Sequence, residues 1–157
     1  MKDTGAYRQR VPRGLIGLGL AGLAPFAWGA LTGLAPPLFD LGQRLLGPRF
    51  VGLHVQVFYG AIVLAFLSGV LWGFASRSDS QAPTRFHALA VLPALWAFLF
   101  VGGGADRAAW VLVVGFLGLL GLDRYFSLHG LTPGWWMEAS TLRTALIVAC
   151  LTLGLLT

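Results

Sequence analysis

The stretch FYGAIVLAFLSGVLWGFA, Phe58 to Ala75, decides the fold. It contains no acidic or basic side chain, and it lies within Val51 to Ala75, which holds no Asp, Glu, Lys or Arg. At a rise of about 1.5 Å per residue this longer stretch is ~37 Å of helix. The hydrocarbon core of a bilayer is ~30 Å thick. The segment is therefore read as a membrane span. Ala61, Ala65, Gly69 and Gly73 recur along it every four residues. Such a row lets a second backbone approach closely, which membrane helices need because lipid gives them no hydrophobic reason to pair.

Four further apolar runs surround it. The spacing predicts five spans, at about residues 14–33, 51–75, 86–103, 108–126 and 139–157. The fold expected is an all-α integral membrane bundle of five transmembrane helices with short loops. Residues 1–13 form a basic tail, and residues 14–157 form the membrane domain. Composition agrees: the 157 residues are 57% hydrophobic and 11% charged, where soluble domains are about 25% charged. Mean hydropathy is +0.76. The run after Arg13 is too long for a signal-peptide core, and it reads as a retained first helix.

Orientation follows from the basic residues. With the N-terminus inside, the inner segments hold Lys2, Arg8, Arg10, Arg13, Arg77, Arg85, Arg124 and Arg143. The outer ones hold Arg44, Arg49 and Arg107. This bias places the N-terminus on the inner side and Thr157 on the outer side; the membrane expected is the inner membrane of a bacterium, with the N-terminus cytoplasmic and Thr157 periplasmic. The net charge of +5 sits at the ends of apolar runs, where orientation and anionic lipid account for it. No basic stripe or aromatic platform supports nucleic-acid binding.

Helix signals refine the boundaries. Gly102 to Arg107 is so short a link that spans three and four form an antiparallel hairpin, with Asp106 as the expected N-cap of span four. Thr132-Pro133 reads as the start of the last helix. That helix begins before Arg143, since the 14 residues that follow give only ~21 Å. Pro37 to Leu46 places Leu38, Leu41, Leu45 and Leu46 on one side. It is read as a short interfacial helix, either a docking surface or a link that hides its leucines.

Gly17, Ala21, Pro25, Gly29 and Gly33 make a small-residue row in span one. This row and the row of Ala61, Ala65, Gly69 and Gly73 are expected to face neighbouring helices, one another included, or a second copy of the chain. Gly115, Gly118 and Gly121 form a third, shorter row. Pro25 and Pro93, inside spans one and three, deprive the Ala21 and Leu89 carbonyls of their partners. They either kink their helices or open a pocket between them.

Chemical constellations are sparse. The only cysteine, Cys150, excludes an internal disulfide and any paired-thiol chemistry. His54 stands at the outer side, while His87 and His129 stand at the inner. This is a poor arrangement for a haem or a metal, and no cofactor is expected. Ser68 lies at depth with no base in reach, and bonding to the Leu64 carbonyl is its expected role. Asp123, Arg124, Glu138 and Arg143 form a charged inner rim, either a docking surface or a solvated edge. No catalytic residue is assigned.

Tyr59-Gly60-Ala61, Phe66-Leu67-Ser68-Gly69 and Trp72-Gly73 resemble the central motif of the transmembrane protein 69-like family (domain of unknown function 3429). Leu20 to Phe26, Leu92 to Leu95, and Pro133 to Trp136 with Leu142-Arg143 are similar to its other landmarks. The resemblance runs from about residue 14 onward. It marks Tyr59, Gly60, Ser68, Trp72, Pro93, Trp135 and Arg143 as motif residues, and it implies a multi-span helical protein without an assigned reaction. Leu71 departs from the pattern, which has a more polar residue before the tryptophan. The expectation is a non-enzymatic membrane protein that packs against other membrane components as an accessory or assembly factor. Its expected partners are membrane lipids, together with a membrane protein or a second copy. The alternative is a carrier of an apolar ligand, a lipid or quinone, in a pocket between kinked helices.

Overall fold

The computed structural model describes residues 19, 21–77 and 83–157. The basic tail and Gly17 lie outside the described residues. Six α-helices and one 3-10 turn make up the described part: α1 (Ala24–Leu34), α2 (Pro36–Leu46), the turn Pro48–Phe50, α3 (Gly52–Ser76), α4 (Thr84–Phe100), α5 (Ala105–Leu128) and α6 (Trp136–Leu155). No strand occurs among the described residues.

Helices α3, α5 and α6 are long and apolar enough to cross a membrane. Helix α4 is 17 residues long, and α1 is 11. Among the described residues, the five expected spans thus fall on three full-length helices and two shorter ones, and length alone assigns three crossings. Residue 21 is helical, but Gly22 and Leu23 form a turn, and α1 starts at Ala24. Pro25 therefore sits in the first turn of a helix, where its missing N–H costs nothing, and not inside a continuous span.

Helix α3 is the centre of the bundle. It packs against α1, α4, α5 and α6, while α6 also meets α1 and α5, and α5 meets α4. Four helices thus form an arc around one side of α3. The residues α3 turns inward are Gly52, Gln56, Gly60, Leu64 and Ser68, followed by Leu67, Leu71 and Ala75. The first five recur every four residues, as do Ala61, Ala65, Gly69 and Gly73 one position along.

That second row was expected to be the seam within the chain, and the structure corrects this. Ala65 and Gly69 are exposed, Ala61 and Gly73 are half-exposed, and nothing lies within 4 Å of a Cβ built on Gly69 or Gly73. The close approaches occur on the first row. A Cβ on Gly29 of α1 would run into Gln56 and would stand 2.7 Å from the Gly52 carbonyl. One on Gly60 would stand 2.9 Å from Leu112 of α5. In the span-one row, Gly29 and Gly33 face neighbours while Ala21 is exposed and Pro25 half-buried. In the third row only Gly115 is tight, 2.7 Å from Leu64 and 2.9 Å from Trp96. Gly118 and Gly121 face open space.

Element ends also shift. Helix α5 starts at Ala105 with Gly104 at its N-cap, so Asp106 lies in the first turn and is not the cap. Gly103 and Gly104, at φ 77 and 110, make the reversal from α4, a backbone path that side chains with a Cβ rarely adopt. Helix α6 starts at Trp136, one turn after the expected Thr132-Pro133, because Pro133 to Trp136 closes a separate turn through the Trp136 N–H and the Pro133 carbonyl.

Helix α2 buries only Gly42. Leu41, Leu45 and Leu46 stay more than half exposed. The link does not hide its leucines but displays them. Phe66, Phe98, Leu99, Trp110 and Leu117 are likewise exposed around the bundle. In water such a surface would aggregate; against lipid it is the solvated side.

Candidate functional site

Polar ties inside the bundle include three, at Asp123, Gln56 and Ser68. The first joins α5 to α6. The inward stripe of α5 runs Leu112, Phe116, Leu119, Asp123, Phe126. The stripe of α6 runs Trp136, Ser140, Thr144, Ile147, Leu151. Helical spacing places Asp123 on the core side and Arg124, one residue on, outside it. Asp123 is fully buried. Its Oδ1 accepts a hydrogen bond from the Trp136 indole at 2.7 Å, and its Oδ2 pairs with an Arg143 guanidinium nitrogen at 3.3 Å. The same nitrogen donates to the Ser140 hydroxyl at 3.1 Å, and the guanidinium lies 5.3 Å from the Trp136 ring centre.

The charged inner rim is thus not a solvated edge. Arg124 and Glu138 are exposed, but Asp123 and Arg143 leave the rim and form a clamp between helices. Both carboxylate oxygens are engaged, so the pair is suited to holding α5 against α6. Aromatic contacts extend it: Phe74 of α3 stands edge-on to Trp136 at 4.8 Å, and Phe86 of α4 to Phe126 at 5.3 Å.

The second place is Gln56, which sequence reasoning missed. It is fully buried, and its amide nitrogen donates to the carbonyls of Phe26 in α1 (2.9 Å) and Cys150 in α6 (3.0 Å). One side chain therefore ties three helices. Its oxygen rests against Gly154, where a Cβ would collide with it. The sequence signal was available: it is a polar residue four positions from both Gly52 and Gly60, on the same helix face.

The third is Ser68, whose hydroxyl donates across to the Ala90 carbonyl of α4. The expected local bond to Leu64 is replaced by a bond between helices. Ser68→Ala is expected to cost about 0.6 kcal/mol, and at most about 1.7, the range for hydrogen bonds between membrane helices. Unfolding in detergent under increasing dodecyl sulfate measures this; a gain in stability would mean that the bond contributes nothing.

A cavity of about 510 Å³ opens at the other end of the bundle, between the start of α3 and the α4–α5 turn. Arg49 and His54 stand beside apolar walls from Val57, Phe58, Ala61, Ile62 and Ala108. The pocket expected between the proline-bearing helices is not where this cavity lies. Those helices pack on α3 rather than substantially on each other. Among the described residues, no three His, Cys, Asp or Glu side chains gather as metal ligands.

The motif residues do not converge on one site. Tyr59 stands edge-on to Phe26 at 5.4 Å, and Gly60 is pressed against Leu112. Pro93 is buried in α4, and Trp72 packs on His87 at 4.8 Å while half-exposed. The Trp135 ring centre stands 5.8 Å from that of Trp136. They mark successive helix junctions. Leu71, the departure from the motif, is fully buried in the apolar core.

The family described as "Protein of unknown function (DUF3429)" matches this chain over residues 11–156. The chain belongs to that family. It is 32% identical over 143 residues to "Transmembrane protein 69" of Xenopus tropicalis, covering 87% of this chain and 51% of the relative. It is also 32% identical over 139 residues to "Transmembrane protein 69" of Mus musculus, covering 86% and 52%. The chain spans about half the length of these curated relatives. No solved structure matches it. Like its relatives, this DUF3429 member is a membrane-embedded helical protein.

Proposed function

We propose that the chain is a non-enzymatic accessory or assembly component of a bacterial inner membrane. In this reading it crosses five times with its N-terminus in the cytoplasm, and it packs sideways against another membrane protein or a second copy of itself. One observation carries this reading. The row Ala61, Ala65, Gly69 and Gly73 faces outward, and Gly69 and Gly73 have nothing against them. Phe58, Ile62 and Phe66 stand exposed beside it as a ridge. A shallow lane beside a ridge on a lipid-facing helix is the shape that accepts another helix at close range. The bundle's own polar groups act as ties between helices, which supports a packing role rather than a reaction.

Gly69→Leu tests it. The variant is expected to keep its fold, with stability within about 0.5 kcal/mol of the parent, as at other sites without neighbours. It is expected to lose its larger complex on native gels and in native mass spectrometry of gently solubilised membranes. Collapse of the fold would put the row inside the bundle. Unchanged complexes, or a parent that is monomeric in the membrane by crosslinking, would rule out the interface.

A further inference from the structure

The cavity beside the start of α3 has a polar end and an apolar end. The turn Pro48–Phe50 supplies Arg49, and the first helical turn of α3 supplies His54. Below them, Val57, Ala61 and Ile62 of α3 face Ala105 and Ala108 of α5 across the space. Small side chains at 61, 105 and 108 leave it unfilled. Its volume, about 510 Å³, falls in the range of about 300–1,000 Å³ usual for small-molecule sites.

Arg49 is exposed and packs on two aromatic rings. Its guanidinium carbon lies 3.7 Å from the centre of the Phe58 ring and 5.4 Å from that of Phe50. It pairs with no carboxylate among the described residues; the ion pair found there is Arg143–Asp123. A cation on aromatic rings, without a carboxylate partner among the described residues, at the mouth of an apolar trough complements an amphiphile with an anionic head. The neighbouring helix α2 displays Leu41, Leu45 and Leu46, which places this end of the bundle at the level of lipid headgroups. The Gly102–Gly104 turn closes the far wall without side-chain bulk.

We propose that this cavity is a binding site for an anionic phospholipid of the surrounding leaflet. The phosphate rests against Arg49, with His54 beside it, and one acyl chain lies along Val57, Ala61 and Ile62. A neutral quinone would fit the apolar walls but would gain nothing from Arg49. The site borders one end of the outward lane, sharing Phe58, Ala61 and Ile62 with it, but it does not include Gly69 or Gly73 and does not depend on any protein partner.

Native mass spectrometry of the full chain, released from nanodiscs of equal parts phosphatidylglycerol and phosphatidylcholine, reads the bound lipid. Phosphatidylglycerol is expected to be retained about fivefold over phosphatidylcholine, the preference that one basic residue confers toward anionic lipid. Arg49→Gln is expected to abolish that preference while leaving the melting curve in place. Ala61→Phe, which fills the trough, is expected to reduce retention of both lipids. Gly69→Leu should leave retention unchanged, which separates this site from the proposed protein interface. Equal retention of the two lipids by the parent chain, an undiminished preference in Arg49→Gln, or displacement of the lipid by added ubiquinone would each overturn the proposal.

Discussion

Asp123→Ala is expected to lower stability by about 3 kcal/mol, the low end of the range for breaking a buried ion pair. Three losses combine. Arg143 keeps its charge among apolar helices with no counter-charge beside it. The Trp136 indole N–H, buried at the same point, loses its acceptor. A small cavity opens between α5 and α6. The low end of the range applies because the Arg143 side chain retains 21% exposure, so it can turn toward the headgroups and recover part of the cost. Asp123→Asn separates the contributions. Its amide oxygen still accepts from Trp136, so it should lose less than Asp123→Ala. Asp123→Leu with Arg143→Met should recover most of the stability, since an apolar pair of similar volume often replaces a buried ion pair at little cost. The measurement is unfolding of the purified protein in mixed micelles. If Asp123→Ala is neutral, the clamp does not hold the two helices. If the double replacement is worse than the single, charge pairing is not the source of the loss.

The second large effect is expected at Gly154. A methyl group there would collide with the Gln56 amide oxygen and stand 2.9 Å from a Leu53 methyl. Gly154→Ala is therefore expected to cost about 1–3 kcal/mol, as overpacking of a tight contact does. The neighbour that must yield is not free to do so, because its amide nitrogen is bound to the Phe26 and Cys150 carbonyls. Moving Gln56 would loosen α1 and α6 together. Gln56→Ala should accordingly cost less in the Gly154→Ala background than in the parent, by at least about 0.5 kcal/mol, since residues in contact do not add independently. Gly73→Ala, at a position with open space around it, serves as the control and should be neutral. Strict additivity of the first two changes would mean that Gly154 and Gln56 are not in contact.

Both predictions rest on residues whose importance is unevenly visible in the sequence. Arg143 was legible as the constraint that forces the last helix to begin upstream, and α6 does begin at Trp136. That Asp123 turns away from the rim was harder to see. Asp123 and Arg124 are adjacent and both charged, with opposite signs, and only the direction of the α5 core stripe separates them. Ser68 was legible as a hydroxyl at depth, but the nearest acceptor along its own helix concealed the one across the interface. Gln56 was overlooked because it stands near a helix end, where polar residues usually meet water. The cavity needed the turn after α4 to fold back beside the start of α3, and no local pattern records that.

By itself, the sequence determined an all-helical membrane protein and a tight α4–α5 hairpin. Each of these follows from one-dimensional quantities: the length of apolar runs, the position of glycines and prolines, and the lack of charge along Val51 to Ala75. Only the tertiary structure decided which face of α3 looks inward. Two rows of four-residue period run side by side on that helix, one through Gly60 and one through Ala61, about 100° apart around its axis. In a soluble protein, hydropathy would choose between them. A helix that is apolar all round has no such preference, so contacts with its neighbours set its rotation. Gln56, Gly60 and Ser68 make those contacts, with α1, α4, α5 and α6. They leave Ala61, Ala65, Gly69 and Gly73 on the outside.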